Sequence, residues 1–380
     1  MTDEAMHGHL IGRSDSRRDL NTPVLVVDLD ALERNISRMA RLAADRGLRL
    51  RPHVKTHKSA EIARLQQKAG AIGFCCAKLG EAEALADSRI TDGLLLTSPV
   101  VSAPAIGRLI DLNLRTNGLM CVVDSPDNVK ELAGAANATG KPLQVLIDID
   151  PGIHRTGVTS PGSAVQLFHE IRSRDGLVYS GVQFYCGREQ HIEAYADRRA
   201  AIQQKTEYLH TVLEAMKEAG GVPPIITGGG TGTHRIDAEL GTLTELQVGS
   251  YIFMDSQYAA CDITGGEEPP YEFALMVDVR VISANFPGMR TVDAGYKALA
   301  TDGGTPRVLA GMPAETEYAF MGDEHGALIS DFEPAPGIAE RVVLTAPHCD
   351  PTVNLYDFYH VVRGDTLVAI WRVDGRGCSR

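Results

Sequence analysis

The sequence has no excess of positive charge, and this limits the partners that it can bind. Lys and Arg number 37 against 49 Asp and Glu, the formal net charge is −12, and basic residues cluster only at positions 13–18 and 51–58. A nucleic-acid partner is therefore not expected. The apolar runs are no longer than a β-strand, so a membrane partner is not expected either.

Cysteine is too sparse and too irregular to form a disulfide framework. The seven cysteines are an odd number scattered over 380 residues, unlike the dense spacing of small secreted domains. The opening residues, MTDEAMHGHL, lack the charged and then apolar pattern of a secretory signal. We therefore expect the protein in a reducing cytoplasm.

What the sequence does contain is a long alternation of strand-like and helix-like segments. From about residue 22 to 255, short apolar runs, beginning with Pro23–Leu29, are each followed by a helical pattern. Eight or nine such units predict an α/β fold, a (β/α)8 TIM barrel, with an open doubly wound sheet as the second possibility.

The pattern changes after about Tyr258, where strand-like runs separated by Gly, Pro and Asp replace most helical segments. This predicts a C-terminal, mostly antiparallel β domain. We place the two domains at residues 20–262 and 263–380, with the boundary in Cys261–Pro270. The segment before residue 20 is expected to pack on the second domain.

The segment Arg51–Ser59, RPHVKTHKS, carries a lysine where barrel enzymes place catalytic groups. An apolar run precedes Lys55 and a helical pattern follows it, which predicts the carboxyl end of a barrel strand. Crowding by His53, His57 and Lys58 is expected to depress the pKa of Lys55, so that its free amine can form a Schiff base. Taken alone, the segment is equally compatible with a solvated basic loop.

Two glycine-containing segments predict a phosphate site. TGGGTGT directly follows an apolar run, and VGSY follows the next predicted strand. Glycines allow a close backbone approach to an anion, hydroxyls add donors, and barrels build such sites from the loops after their last strands. An ordinary glycine-rich turn is the alternative. The candidate residues are Thr227, Gly229, Gly230, Thr231, Gly249, Ser250 and Tyr251.

His348 and Asp350 form a candidate metal site. In an extended segment, residues two apart point the same way, so these two side chains would converge while Cys349 points elsewhere. Imidazole and carboxylate suit Mn, Co, Zn or Mg. The alternative is a turn capped by Asp350 beside an exposed histidine.

Two further segments carry candidate residues at strand ends. In QFYCGREQH, Tyr185 could stack on a flat ring and His191 could act as an acid or a base, although a lone loop histidine is more often solvated. In DPGIHRTG, Arg155 could pair with a phenolate or a carboxylate, although a surface salt bridge is the commoner role of an arginine.

Together these motifs resemble the D-threonine aldolase and D-serine dehydratase family, which uses pyridoxal 5'-phosphate (PLP) and shares its fold-type III barrel with alanine racemase. The segments that carry the resemblance are RPHVKTHK, DPGIHRTGV, the pair Gln190-His191, TGGGTGT, ELQVGSY, DAGYKA, GDEHGAL and HCDPTVNLYD. The resemblance implies PLP on Lys55 and a divalent metal on His348 and Asp350. By position, it implies Arg155 at the phenolic oxygen of PLP and Tyr185 against its ring.

The resemblance also places Gln247 against the pyridine nitrogen, where racemases have an arginine. A neutral glutamine cannot protonate the ring, so the cofactor is expected to be a weak electron sink that needs help at the substrate's β-hydroxyl. Glu324 and His325, in GDEHGAL, receive no role.

Within the family, the dehydratases resemble His-x-Cys at the metal site and the aldolases resemble His-x-Asp. Asp350 therefore predicts a D-threonine aldolase-type carbon–carbon lyase, which cleaves D-3-hydroxy-amino acids reversibly to glycine and an aldehyde. Manganese is the expected metal, with magnesium, cobalt or zinc as alternatives. His191 or a metal-bound hydroxide is the expected base.

Other activities remain open at this stage. The nearest is a D-serine or D-threo-3-hydroxyaspartate dehydratase, and more remote are an amino-acid racemase and a non-catalytic PLP carrier. The substrate would be a small molecule for the aldolase, the dehydratase and the racemase alike. The family resemblance also implies a homodimer.

Overall fold

A computed structural model describes residues 2–266, 271–313, 315–331 and 336–380, and it contains two sheets. The strands in chain order are β1 (Val24–Asp28), β2 (Arg49–Leu50), β3 (Phe74–Cys76), β4 (Leu94–Leu96), β5 (Met120–Val123), β6 (Leu143–Ile149), β7 (Leu177–Phe184), β8 (Ile225–Gly228), β9 (Glu245–Leu246), β10 (Leu275–Ser283), β11 (Met289–Val292), β12 (Val308–Ala310), β13 (Glu317–Phe320), β14 (Gly326–Ile329), β15 (Arg341–Thr345), β16 (Phe358–Arg363) and β17 (Thr366–Arg372).

Most of the helices alternate along the chain with the strands of the first sheet. In chain order they are α1 (Asp3–His7), α2 (Leu29–Asp45), α3 (Ala60–Lys68), α4 (Leu79–Asp87), α5 (Ala103–Arg115), α6 (Pro126–Thr139), α7 (Pro161–Arg172), α8 (Tyr195–Glu218), α9 (His234–Leu240), α10 (Ser256–Ala259) and α11 (Cys349–Val353). No helix in the part of the chain that the structure describes is long and apolar enough to cross a membrane.

The first sheet is the predicted barrel. Its eight parallel strands follow the order β2-β9-β8-β7-β6-β5-β4-β3. The two strands at the ends of this order also meet, because the Cys75 amide donates to the Pro52 carbonyl at 2.9 Å and His53 bridges Cys75. The sheet therefore curls round until its edges join, and the predicted α/β barrel is confirmed.

Helix α2 illustrates how the sequence specifies the units around the sheets. The Asp28 carboxylate accepts a hydrogen bond from the Ala31 amide at 3.0 Å, a cap that stabilises a helix by about 1 kcal/mol. Leu32, Ile36 and Met39 recur at helical spacing and are all buried in the core. Burial of this one face fixes the helix against the sheets.

The second sheet is mostly antiparallel, as predicted, and runs in the order β13-β14-β11-β10-β1-β16-β17, with β15 pairing with β10 and β12. Strand β1 was expected to open the barrel, and that assignment is wrong. It pairs antiparallel with β10 and parallel with β16 instead. A fully apolar strand suits either sheet, and only the tertiary pairing decides between them.

The N-terminal segment packs against the second sheet. The Arg17 guanidinium donates to the Asp278 carboxylate at 2.7 and 2.8 Å, and the Gly12 amide donates to the Leu367 carbonyl at 2.8 Å. The proposed boundary segment, Cys261–Pro270, lies partly outside the described residues, because residues 267–270 are not among them. The division at residues 262 and 263 stays a prediction.

The second sheet brings a short helix to the mouth of the barrel. Helix α11 follows β15, and its first amide, that of Cys349, donates to the Asp255 carboxylate at 3.1 Å. Asp255 also caps α10 by accepting from the Tyr258 amide at 3.0 Å. One buried carboxylate therefore fixes both short helices over the barrel.

Candidate active site

A cavity of about 160 Å³ opens at the carboxyl ends of the barrel strands. Its walls include Lys55 after β2, Tyr185 after β7, Thr231 after β8 and Gly249 after β9. No Asp or Glu of the described chain lines it, whereas the cations Lys55 and Arg155 do. The cavity therefore suits an anionic ligand.

Lys55 lies in a 3₁₀ turn, Val54–Thr56, and its ammonium group forms an ion pair with Asp350. Burial is the largest influence on the pKa of Lys55 and lowers it, but the charge of Asp350, the nearby Tyr185 and the hydrogen bond to Asp350 together raise that pKa above its ordinary value. The predicted depression of the pKa is therefore wrong for the ligand-free chain.

The cationic crowd expected around Lys55 is also absent. Burial, together with the positive charge of Lys55, lowers the pKa of His53 to about 3. Burial lowers the pKa of His57 to about 4, so both imidazoles are neutral at pH 7. Lys58 donates to the Glu81 carboxylate at 2.8 Å. The sequence analysis treated these three side chains as positive charges. Burial keeps the two histidines neutral and Glu81 pairs with Lys58, so they do not depress the pKa of Lys55 as expected.

The middle of the cavity offers groups suited to a flat, substituted ring. The Arg155 guanidinium lies over the Tyr185 ring, 5.6 Å from its centroid. Gln247 Nε2 donates to Gln183 Oε1 at 3.2 Å and to Thr227 Oγ1 at 3.1 Å. Thr227 thus holds Gln247 in place and does not line the cavity.

One end of the cavity is lined by backbone and hydroxyl groups. Gly230, Thr231, Gly249 and Ser250 all line it. Glycines without side chains, two hydroxyls and the amides beside them are the donor set that a phosphate group prefers. This end of the cavity therefore fits a phosphate.

Two residues predicted for the phosphate site lie behind this lining. Gly229 faces Asp237, since a Cβ on it would lie 2.7 Å from Asp237 Oδ2. Tyr251 is buried, and its amide donates to Thr231 Oγ1 at 3.0 Å. Both support the residues that line the cavity without lining it themselves.

Gln190 is a site-building residue to which the sequence analysis assigned no role. Its buried side chain donates to the Cys186 carbonyl and to Thr233 Oγ1 at 3.0 Å each, and accepts from the Gly232 amide at 3.0 Å. It therefore ties the glycine-rich loop to the loop that bears Tyr185. The motif QFYCGREQH contained it, but nothing in the spacing distinguished it from its neighbours.

His348 and Asp350 do lie together, although not on an extended segment. His348 is the N-cap of helix α11, and Asp350 lies in its first turn. Burial raises the pKa of Asp350, but the charge and hydrogen bond of Lys55, with smaller contributions from His348 and Thr56, together lower it to about 2. The period-two argument assumed one extended segment, whereas only His348 has extended backbone and Asp350 lies in the helix.

The donor set at Asp350 fits a divalent metal. Its Oδ1 atom is buried and has no hydrogen-bond partner in the described chain. Nδ1 of His348 lies 2.7 Å from Asp302, and no hydrogen bond is seen for Nε2 within the described ranges. The described residues contain no group of three His, Cys, Asp or Glu arranged to hold a metal. Two protein ligands would leave positions open for water or substrate.

Cys349 points away from this pair. Its thiol is buried and donates to the Met254 carbonyl at 3.3 Å. Burial raises the pKa of this thiol well above its ordinary value. A buried, protonated thiol is a poor metal ligand, so Asp350 remains the ligand candidate on α11.

His191 lies at the edge of the cavity. Its ring centroid is 4.5 Å from that of Tyr258, which lines the cavity. Burial and the charges of His348 and Lys55 lower the pKa of His191. It is therefore an unprotonated base near neutral pH. Neither Glu324 nor His325 is among the described residues that line the cavity.

Comparisons with known proteins agree on the family of both halves. Residues 27–257 match the family described as alanine racemase, N-terminal domain, and residues 274–362 match a putative serine dehydratase domain. A 3-hydroxy-D-aspartate aldolase of Paracoccus denitrificans is 35% identical over 94% of this chain and 93% of its own. A D-threo-3-hydroxyaspartate dehydratase of a Delftia species is 28% identical over 94% of this chain and 98% of its own.

The fold agrees with a solved relative. The crystal structure of a D-threonine aldolase from Filomicrobium marinum superimposes with a TM-score of 0.92 and 36% identity, over 96% of this chain and 98% of that one.

Proposed function

This chain belongs to the alanine racemase-related family of D-threonine aldolase and D-serine dehydratase-like enzymes, and on that premise we propose that it is a PLP- and metal-dependent aldolase. It would cleave D-3-hydroxy-amino acids, such as D-threonine, into glycine and an aldehyde. The observation that carries the proposal is the ion pair between Lys55 and Asp350, on the helix that His348 caps.

The cavity fits PLP. Thr231, Gly249 and Ser250 would hold its phosphate, Arg155 would meet its phenolic oxygen, and Lys55 would bind it covalently. When bound, the cofactor supplies electron withdrawal from the substrate's Cα, which is the chemistry that this enzyme class requires.

The metal would be held by His348 and Asp350. Nitrogen and carboxylate ligands in a two-residue site favour manganese, with magnesium, cobalt or zinc as alternatives. A divalent ion there supplies Lewis acidity at the substrate's β-hydroxyl. Lys55 and the metal site lie next to each other, so Cα and the β-hydroxyl can be engaged at the same time.

The protein's own groups would then move one proton. His191, with its lowered pKa, accepts the proton of the β-hydroxyl. The electron pair of the O–H bond forms the aldehyde carbonyl as the Cα–Cβ bond breaks, and the electron pair of that bond stays with Cα. One proton added at Cα then completes glycine, so the reaction consumes no net proton. Gln247 faces the cavity as a neutral group, so it adds no positive charge at the ring.

Asp350 favours the aldolase over the dehydratase. A dehydratase must expel the β-hydroxyl, whereas an aldolase retains its oxygen in the aldehyde. In this family the thiolate site is the dehydratase-like one. The only thiol on α11 is that of Cys349, which is buried and bonded to a carbonyl.

A product assay tests the proposal. The PLP-loaded enzyme is incubated with D-threonine, L-threonine and D-serine, with EDTA and with added manganese. We expect glycine and acetaldehyde in equal amounts from D-threonine, only with manganese. Pyruvate and ammonia from D-serine would instead assign a dehydratase, and equal activity on L-threonine would contradict the D preference.

We further propose a homodimer, as membership of the family implies, located in the cytoplasm, as the scattered cysteines favour. Sedimentation equilibrium should give twice the mass of the chain. A monomer with full activity would contradict the dimer.

A further inference from the structure

The loop between β11 and β12 brings a second carboxylate to the proposed metal site. Asp302 Oδ2 lies 2.7 Å from Nδ1 of His348. The Gln257 amide donates to the Asp302 carbonyl at 3.3 Å. Gly303 approaches so closely that a Cβ on it would lie 2.6 Å from the Pro347 carbonyl oxygen. The loop is therefore held against the segment that bears His348.

This hydrogen bond decides which nitrogen of His348 is available. A carboxylate can only accept, so Nδ1 of His348 must carry the hydrogen and donate it. Whenever the imidazole is neutral, its lone pair is then on Nε2. Metal-binding histidines generally donate their other ring nitrogen to a carboxylate or carbonyl in this way, which fixes the tautomer and raises the basicity of the ligand atom.

We propose that Asp302 is a positioning residue for the metal site. It holds His348 in the tautomer with hydrogen on Nδ1 and leaves Nε2 as the ligand atom for the metal. The inference rests on the proposed function, because it takes the metal on His348 and Asp350 from it. Asp302 is not itself a ligand in this proposal.

The position of Asp302 makes the inference testable without loss of the fold. Its side chain is 55% exposed, and exposed ion pairs contribute little to stability. Removal of its carboxylate should therefore leave the thermal unfolding temperature nearly unchanged. Asp365 provides a matched control, because its exposed carboxylate pairs with Arg341 at 2.9 Å on a different part of the second sheet.

The test measures manganese affinity and not turnover. PLP-loaded enzyme is stripped of metal with a chelator and titrated with Mn²⁺, and the free ion is followed by electron paramagnetic resonance. Asp302→Ala should weaken binding about 10- to 100-fold, Asp302→Asn should weaken it less because its amide oxygen still accepts, and Asp365→Ala should match the unmodified protein. Binding by Asp302→Ala as tight as the unmodified protein's, or tighter, would overturn the inference.

A second measurement reads the tautomer directly. In the metal-free protein with ¹⁵N-labelled histidine, His348 should carry its hydrogen on Nδ1, and Asp302→Ala should shift it toward Nε2. Failure of the proposed function looks different. In that case the unmodified protein would bind Mn²⁺ no more tightly than His348→Ala, whereas failure of this inference leaves that difference intact and removes only the effect of Asp302.

Discussion

The barrel side and the second-sheet side of the active site are built by different means. The barrel side consists of loops at the ends of parallel strands, with glycines that bring the backbone close and with the buried amides of Gln190 and Gln247. The other side is one short helix, α11, held by the Asp255 carboxylate, by the Ala300 amide that donates to Thr352, and by the burial of Cys349 and Val353. Hydrogen bonds between several loops fix the first side, and the packing of a single helix fixes the second.

This difference implies a division of labour. Substitutions on the barrel side should weaken PLP binding and therefore remove every PLP-dependent activity. Changes on α11 should leave the cofactor bound and remove only the help given at the β-hydroxyl. Variants on the two sides should therefore differ in whether they lose PLP or lose only the effect of the metal.

The largest effect is expected for Lys55→Ala. Its amine is the only lysine amine lining the cavity within the described chain, so its loss should abolish D-threonine cleavage and the visible absorbance of bound PLP. Borohydride reduction followed by peptide mapping should find PLP on Lys55 in the unmodified protein. A label on another lysine would refute the assignment.

Asp350→Asn should separate the two sides. The amide keeps the shape but loses the charge, so Lewis-acid assistance worth several kcal/mol disappears and kcat should fall by about 10²- to 10³-fold. Cofactor absorbance should persist, and added Mn²⁺ should not restore activity. Loss of PLP along with the activity would show that the sides are not independent.

Gln190→Ala should act on the barrel side alone. Three buried hydrogen bonds are lost, each with a net value of about 1 kcal/mol, so PLP affinity should fall by at least about tenfold. Mn²⁺ affinity of the PLP-saturated protein should not change. Gln203→Ala, on the exposed face of α8, is the control and should bind PLP normally.

Cys349→Ala tests whether the thiol takes part in metal binding. Loss of a small buried side chain should lower the free energy of unfolding by about 1 kcal/mol, while Mn²⁺ affinity stays the same. A large loss of Mn²⁺ affinity in folded Cys349→Ala protein would identify Cys349 as a metal ligand. The dehydratase would then be the better-supported activity.

The smallest effect is expected far from both sides. Gly134 is exposed within α6, and a Cβ there would meet no atom within 4 Å. Gly134→Ala should therefore raise the free energy of unfolding by about 0.5–1 kcal/mol. Affinities for PLP and Mn²⁺ should both stay constant, and a change in either would mean that helix α6 is coupled to the site.

The barrel could be predicted from the sequence because its signal is local and repeated. Strand, loop and helix alternate for more than 200 residues, and the chemical groups fall at strand ends. The membership of β1 could not be predicted, since its apolar run carries no mark of which sheet it joins. Its partners, β10 and β16, lie about 250 and 330 residues further along the chain.

The same limit applies within the site. The sequence motif identified His348 and Asp350 as candidate ligands. It did not predict their backbone, because it assumed a strand where a short helix begins. The charges around Lys55 were misjudged because burial and the partner Glu81 are not visible in a linear sequence. Asp302 and Gln190 act through contacts that span 46 and 43 residues, and neither role can be read from the neighbouring sequence.

Adding Mn²⁺ back to the metal-free enzyme during D-threonine cleavage tests the central claim most directly. The PLP-loaded protein is stripped with EDTA and assayed with D-threonine as Mn²⁺ is added back, in parallel with Asp350→Asn. We predict that glycine and acetaldehyde form one to one, that their rate rises to saturation with Mn²⁺, and that the variant stays inactive with its cofactor in place. Full cleavage activity in the stripped protein, or in the variant, would contradict the account.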